Sequence, residues 1–144
     1  IIKGISKIQS QITTNPTSIS QMAAISALTE KKSFLTNWIK DFSERRDFLY
    51  NFFNNIDGFS CIKPQGAFYL FVCCDGFIKK RTPEEKVITS DLDFAEFILN
   101  YAEVAIVPGS AFGKSPYFRI SYAASMQLLD LACEKIKKAV ELLR

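Results

Sequence analysis

Histidine is absent from these 144 residues. That removes Ser-His and Cys-His nucleophile pairs and every imidazole-bound metal, so no metal site is expected. Cysteine is sparse, at Cys61, Cys73, Cys74 and Cys133. No two of them form a C-x-x-C pair, so free thiols in a reducing, cytoplasmic setting are the expectation. Charge of one sign is not in excess: Lys and Arg total 18, Asp and Glu 15, for a net +3. The cations are scattered and make no basic stripe among aromatics, so nucleic acid is not an expected partner. No apolar run approaches the ~20 residues of a membrane span. The opening Ile1-Ile2-Lys3-Gly4 lacks signal-peptide anatomy. It also lacks a Met and begins in mid-phrase, as an excised piece of a longer chain would.

What is present suits a folded core. Hydrophobic residues make up 48% and charged residues 23%, with 13 phenylalanines. A chain near ~150 residues buries about 70% of its surface, enough for one real core. Ile1 to Gln11 has a short helical spacing. Asn15 is expected to cap the next helix with Pro16 at its first position, and that helix runs through Leu28. Ser33 to Ile56 is the longest periodic stretch, with Leu35, Trp38, Ile39, Phe42, Leu49, Phe52, Phe53 and Ile56 on one stripe. Asp41 and Arg45 are spaced to pair on its polar side. Asp91 to Tyr101 and Met126 to Leu143 are further amphipathic helices. Ser90-Asp91 offers caps for the first of these, and the polar run Asp75 to Thr89 reads as a solvated loop or short helix.

Four segments read as strands: Ser60–Lys63, Ala67–Val72, Val104–Val107 and Phe118–Tyr122. The uniformly apolar Val104–Val107 predicts a strand buried on both faces, ended by Pro108-Gly109. Tyr117 to Tyr122 alternates, with Phe118, Ile120 and Tyr122 on one face and Tyr117, Arg119 and Ser121 on the other. Arg119 therefore projects from a strand beside Tyr and Ser. Its planar fork suits bidentate capture of a carboxylate, although an arginine on a strand is also commonly solvated or salt-bridged. Together these elements predict an α/β fold: a small mixed or antiparallel sheet packed against helices, preceded by one long helix.

Three motifs carry a family resemblance. Val107-Pro108-Gly109-Ser110-Ala111-Phe112-Gly113 followed by the Arg119-Ile120-Ser121-Tyr122-Ala123 strand resembles a C-terminal signature of class I pyridoxal-phosphate aminotransferases, and most of all the aspartate aminotransferase branch. Pro64-Gln65-Gly66-Ala67-Phe68-Tyr69 is similar to a second signature of that family. Gln9 to Ser18, reading QSQITTNPTS, is similar to its subunit-interface segment. The resemblance implies that Arg119 grips the substrate α-carboxylate. It also implies that Thr14 reaches the cofactor phosphate of a neighbouring subunit, a role compatible with Thr14 and Asn15 simply capping a helix.

The same resemblance implies a domain plan and a division of labour. Residues 1–32 would belong to the large domain and subunit interface, 33–57 to a linking helix, and 58–144 to the small domain of a fold-type I enzyme. None of the lysines lies in the family's Schiff-base motif, so no catalytic residue is expected in this stretch, nor a pyridoxal 5'-phosphate bound by it alone. The complete enzyme would be a homodimer that moves an amino group from aspartate or a related amino acid to 2-oxoglutarate. Two other readings stay open. One is a non-catalytic aminotransferase-like binding or scaffolding module; the other is a sister specificity, such as an aromatic or alanine aminotransferase or a cyclopropane-forming lyase.

Overall fold

Isoleucine spacing and an alanine-rich run both favour helix at the start of the chain, and helix is what forms. A computed structural model describes residues 1–13 and 15–144 and divides the chain into two units, Ile1–Thr36 and Asn37–Arg144. The first unit holds α1 (Ile2–Ile12) and α2 (Ser18–Thr29). The start of α2 departs from expectation. Thr17 is the N-cap, its hydroxyl accepting from the Ser20 N–H at 3.3 Å, so Asn15 and Pro16 lie outside the helix. A β-branched hydroxyl caps as Asn does, and the Gln21 amide donates to the Pro16 carbonyl at 2.8 Å, which holds the proline before the first turn. Neither helix has a buried residue, and Ile5, Ile8, Met22, Ile25 and Leu28 are all exposed.

Helix α3 (Ser33–Asn54) carries the boundary between the units. Its C-terminal half buries Leu49 and Phe53, while Trp38 and Ile39, on the same stripe, stay exposed. Lys40 pairs with Glu44 at 3.9 Å and Arg46 with Asp47 at 2.7 Å, while Arg45 lies over the Phe42 ring at 5.4 Å; among the described residues the ion pairs do not include the expected Asp41–Arg45. The Asn54 side chain ends the helix. It donates to the Tyr50 carbonyl at 2.9 Å and accepts from the Cys61 N–H at 3.1 Å, which fastens the next strand to the helix end.

The second unit is built on a four-stranded antiparallel sheet. Its strands are β1 (Ser60–Cys61), β2 (Tyr69–Cys73), β3 (Val107–Pro108) and β4 (Tyr117–Ser121), in the order β1-β2-β4-β3. Helices α4 (Asp91–Ala102) and α5 (Met126–Glu141) complete it. The expected α/β class and small sheet are therefore found, with strand bounds that differ. Ala67 adopts φ 64°, a left-handed turn that keeps it out of β2. Val104–Ile106 is an irregular connection, and only Val107 and Pro108 pair, with β4 alone. A strand with one neighbour is an edge, where a proline without an N–H is tolerated, and Val107 is 37% exposed instead of buried on both faces.

Aromatic rings, most of them meeting edge to face, fill the core. Phe53, Phe59, Phe94 and Phe118 are all buried, with Phe53 5.2 Å from Phe59 and 5.6 Å from Phe118 between centroids. Cys74 and Cys133 are buried, and burial pushes both thiols up to about 12. The expected solvated run 75–89 is corrected at three points: Phe77, Thr82 and Ile88 are buried. The Arg81–Val87 bridge folds this run back on itself, so its charges face outward while Ile88 reaches the core. Gly76 packs directly on Gly58; a Cβ at Gly76 would stand 2.2 Å from the Gly58 Cα.

Candidate active-site face

Alternation along β2 and β4 sorts side chains between two faces. Leu70, Val72, Phe118 and Ile120 enter the core. Tyr69, Phe71, Tyr117, Arg119 and Ser121 stand on the open face, as the pattern predicts for β4. Arg119 is half-buried at the centre of that face. Its partner residues are Phe71 on β2 and Val107 on β3, so ladders on both sides hold its backbone. The guanidinium carbon lies over two rings, 4.5 Å from the Phe112 centroid and 5.0 Å from that of Tyr69. Beside it Phe71 stacks on Tyr117 at 5.1 Å with planes 11° apart. A groove of about 430 Å³ opens next to this pair, lined by Cys61, Ile62, Pro64, Tyr69, Phe71 and Tyr117.

Among the described residues, the ion pairs do not include Arg119. Its charge is balanced by ring faces and not by an internal carboxylate. A guanidinium set over ring faces, on a strand paired on both sides, has planar donors able to pair with a planar anion.

Phe112 reaches Arg119 from the turn Gly109–Phe112, a single 3-10 turn ended by Gly113 at φ 75°. Gly109 is buried against the turn's exit, and a Cβ there would stand 2.3 Å from the Lys114 carbonyl oxygen. The turn is tied to α4. Ser90 caps that helix as expected, accepting from the Asp93 N–H at 3.2 Å. Asp91 does something else: it is 1% exposed and accepts from the Ser110 N–H and the Ser115 hydroxyl, both at 2.6 Å. Burial by itself would push this carboxyl up, but the Ser115 and Ser110 hydrogen bonds outweigh it and hold it below the usual range. The Ser115–Pro116 peptide that follows is cis.

Sequence reasoning picks out Arg119 and the 107–113 motif but misses Asp91, whose partners lie 19 and 24 residues away. A buried Asp followed at that distance by two serines flanking a glycine turn is too common a pattern to single out. Phe112 sits inside the motif, yet nothing in its spacing announces a ring under a guanidinium. Thr14 lies outside the described residues.

The described residues do not by themselves make a pyridoxal phosphate site. Among them the one buried side-chain polar atom without a partner is the Tyr101 hydroxyl, beside Ile88 and Phe97 and not beside Arg119. What the Arg119 face offers is one anion grip among rings, which fits a carboxylate and lacks the further donors that a phosphate ester and a pyridine ring would need.

The family description "Aminotransferase class I and II" matches residues 1–136, and the chain belongs to that family. It is similar to a Rickettsia felis protein named "Probable aspartate/prephenate aminotransferase", 47% identical over 139 residues, which cover 96% of this chain and 34% of that protein. Among solved structures it is similar to the aspartate aminotransferase of Rhizobium meliloti, with a TM-score of 0.92 and 48% identity over 99% of this chain and 36% of the other. The alanine aminotransferase of Pyrococcus furiosus is more distant, with a TM-score of 0.75 and 32% identity over 88% of this chain and 30% of the other. The chain thus spans about a third of the length of the relatives it matches.

Proposed function

We propose that this chain is the C-terminal part of a pyridoxal-phosphate aminotransferase that moves the amino group of aspartate, or a related amino acid, to 2-oxoglutarate. Arg119 is its clamp for the substrate α-carboxylate. The observation that carries this reading is the half-buried guanidinium on the open sheet face, stacked on aromatic rings and outside every ion pair found among the described residues. A carboxylate arriving there gains a bidentate, charge-assisted pair without first displacing an internal acid. The names of its similar relatives, aspartate/prephenate aminotransferase and the aspartate aminotransferase of Rhizobium meliloti, support a dicarboxylic donor. The name of the Rickettsia relative adds prephenate as an acceptor or product class to be tried.

On this reading residues 1–32 belong to the large domain, 33–57 link the domains, and 58–144 form the small domain. Thr14 contacts the cofactor phosphate across a homodimer in the cytoplasm. This stretch alone does not transaminate, because the Schiff-base lysine motif is not in it. The exposed isoleucines of α1 and the apolar residues of α2 support a docked position for this segment in the complete enzyme, since large apolar patches are rarely left in water.

The test is steady-state kinetics on the full-length protein with aspartate and 2-oxoglutarate. Arg119→Ala should cut kcat/KM by the cost of an unpaired, desolvated carboxylate, about 2–5 kcal/mol. Arg119→Lys should be poor as well, since an ammonium cannot reproduce the fork. Near-wild-type efficiency in Arg119→Ala would overturn the clamp.

A further inference from the structure

Arg119 sits on a rigid strand, but its side chain is long, and its strand fixes only where that side chain starts. Four torsions separate the backbone from the guanidinium, and holding them in one arrangement costs conformational entropy that a binding site must recover. The contacts that do the holding come from elsewhere. Tyr69 lies on the neighbouring strand, and Phe112 lies on the 109–112 turn. That turn has a single helical turn's worth of backbone bonds, including Lys114 N–H to the Gly109 carbonyl at 3.0 Å. Besides the flanking strands and an edge-on contact of Phe112 with Phe71 at 6.4 Å, it is tied to the fold by the Asp91 carboxylate at the first residue of α4, which holds both the turn's Ser110 N–H and the following Ser115 hydroxyl. Asp91 is 1% exposed, so these bonds are made away from competing water.

We infer that Phe112 is a positioning residue for the Arg119 guanidinium, and that Asp91 sets the place of Phe112 by latching the 109–115 loop onto α4. This rests on the reading of Arg119 as the carboxylate clamp. The chain of contacts is Asp91 to the loop, the loop to Phe112, and the Phe112 ring to the guanidinium. Neither residue touches substrate. Both act by presenting the fork already aimed, so their loss weakens capture of the carboxylate and leaves the chemical step alone.

The experiment uses the full-length enzyme with 2-oxoglutarate and whichever of aspartate, alanine and phenylalanine the wild type turns over fastest. Phe112→Leu should raise KM for the amino acid about three- to thirtyfold, the range of one guanidinium-on-ring contact, with kcat little changed. Phe112→Tyr, which keeps a ring face, should restore the wild-type KM. Asp91→Ala should raise KM as Phe112→Leu does. Asp91→Asn should do so less, since its amide oxygen can still accept from the Ser110 N–H. In an Arg119→Ala background, Phe112→Leu should add nothing, because its effect passes through the missing guanidinium. If Arg119→Lys raises KM while Phe112→Leu does not, the clamp stands and the positioning role falls. If Phe112→Leu acts equally with and without Arg119, the ring is structural and the inference is overturned. If Arg119→Lys itself leaves KM unchanged, the clamp falls and the inference with it. Should Asp91→Ala fail to fold, the Phe112 series and Asp91→Asn still decide.

Discussion

The two faces of the sheet use the same residue type for opposite ends. On the inner face, phenylalanines meet mostly edge to face and are sealed from water: Phe53, Phe59, Phe94 and Phe118 are each at most 7% exposed. On the open face, the Tyr69 and Phe112 rings lie against the Arg119 guanidinium beside the stacked Phe71–Tyr117 pair, and among the described residues no ion pair takes its fork. The ring's quadrupole explains both. Edge-to-face and offset contacts suit neutral rings in the core, and a face meets a guanidinium where charge has to be kept. Adjacent residues of one strand fall on opposite sides of this divide, Phe118 in the core and Arg119 out of it. A strand period of two is thus enough to separate stability from recognition.

That separation can be broken experimentally. The largest effect is expected in the core. Phe118→Ala should cost about 3–5 kcal/mol of stability in urea unfolding, because rings and strands close around that side chain. A loss below about 1 kcal/mol would mean the inner face is looser than its contacts indicate. Next comes its neighbour. Arg119→Ala should lose about 2–5 kcal/mol in kcat/KM of the full-length enzyme, yet cost only about 0.5–2 kcal/mol of stability, the worth of its ring contacts and less than Phe118→Ala. Equal losses in stability for both variants would erase the distinction between the faces.

Asp91 lies where the two roles meet, and pH tests it. Its carboxyl is held below the ordinary value of 3.8, so its contribution to stability is fully present above that value and is lost as pH falls through the folded value beneath it. Asp91→Ala should remove about 1–3 kcal/mol at neutral pH and flatten the acid limb of stability below about pH 4. An unchanged acid limb would show that Asp93 and Asp47, whose carboxyls are also held low, carry it instead. The smallest effect belongs to the open-face rings. Phe71→Leu should cost about 0.5–1.5 kcal/mol of stability from its stacked contact with Tyr117. A core-sized loss there would mean that this face is buried in the working protein.

Periodicity alone makes the inner face legible in the sequence. Phe118, Ile120 and Tyr122 alternate with Arg119, and helical spacing puts Phe94, Phe97 and Ile98 of α4, and Leu129, Cys133, Ile136 and Val140 of α5, on buried stripes. Periodicity fails where one local pattern fits two outcomes. Val104–Val107 is apolar enough for a central strand, but whether a second neighbour exists to bury it is a matter of topology. Asn15-Pro16 and Thr17 are all plausible helix starts, and a single side-chain bond at Thr17 decides among them. Asp91 looks like a first-turn acid favoured by the helix dipole. Its other partners come from beyond the end of its own helix, and no window that reads one element at a time contains them.

The contact of Gly76 on Gly58 bears on how this protein can change over generations. Two loops meet there through bare backbone, with a 2.2 Å approach where any side chain at Gly76 would begin. No single substitution at that point has a smaller or more flexible version to try first, and no compensating change in a neighbouring side chain can make room, because the obstacle is main chain. At Gly66, where a Cβ would meet nothing within 4 Å, packing leaves such a path open; at Gly76 it does not. A saturation library scored for folding, not activity, should therefore return a nearly blank row at position 76 and a well-populated one at position 66, and a transplanted version of this fold has to carry both glycines of the crossing together.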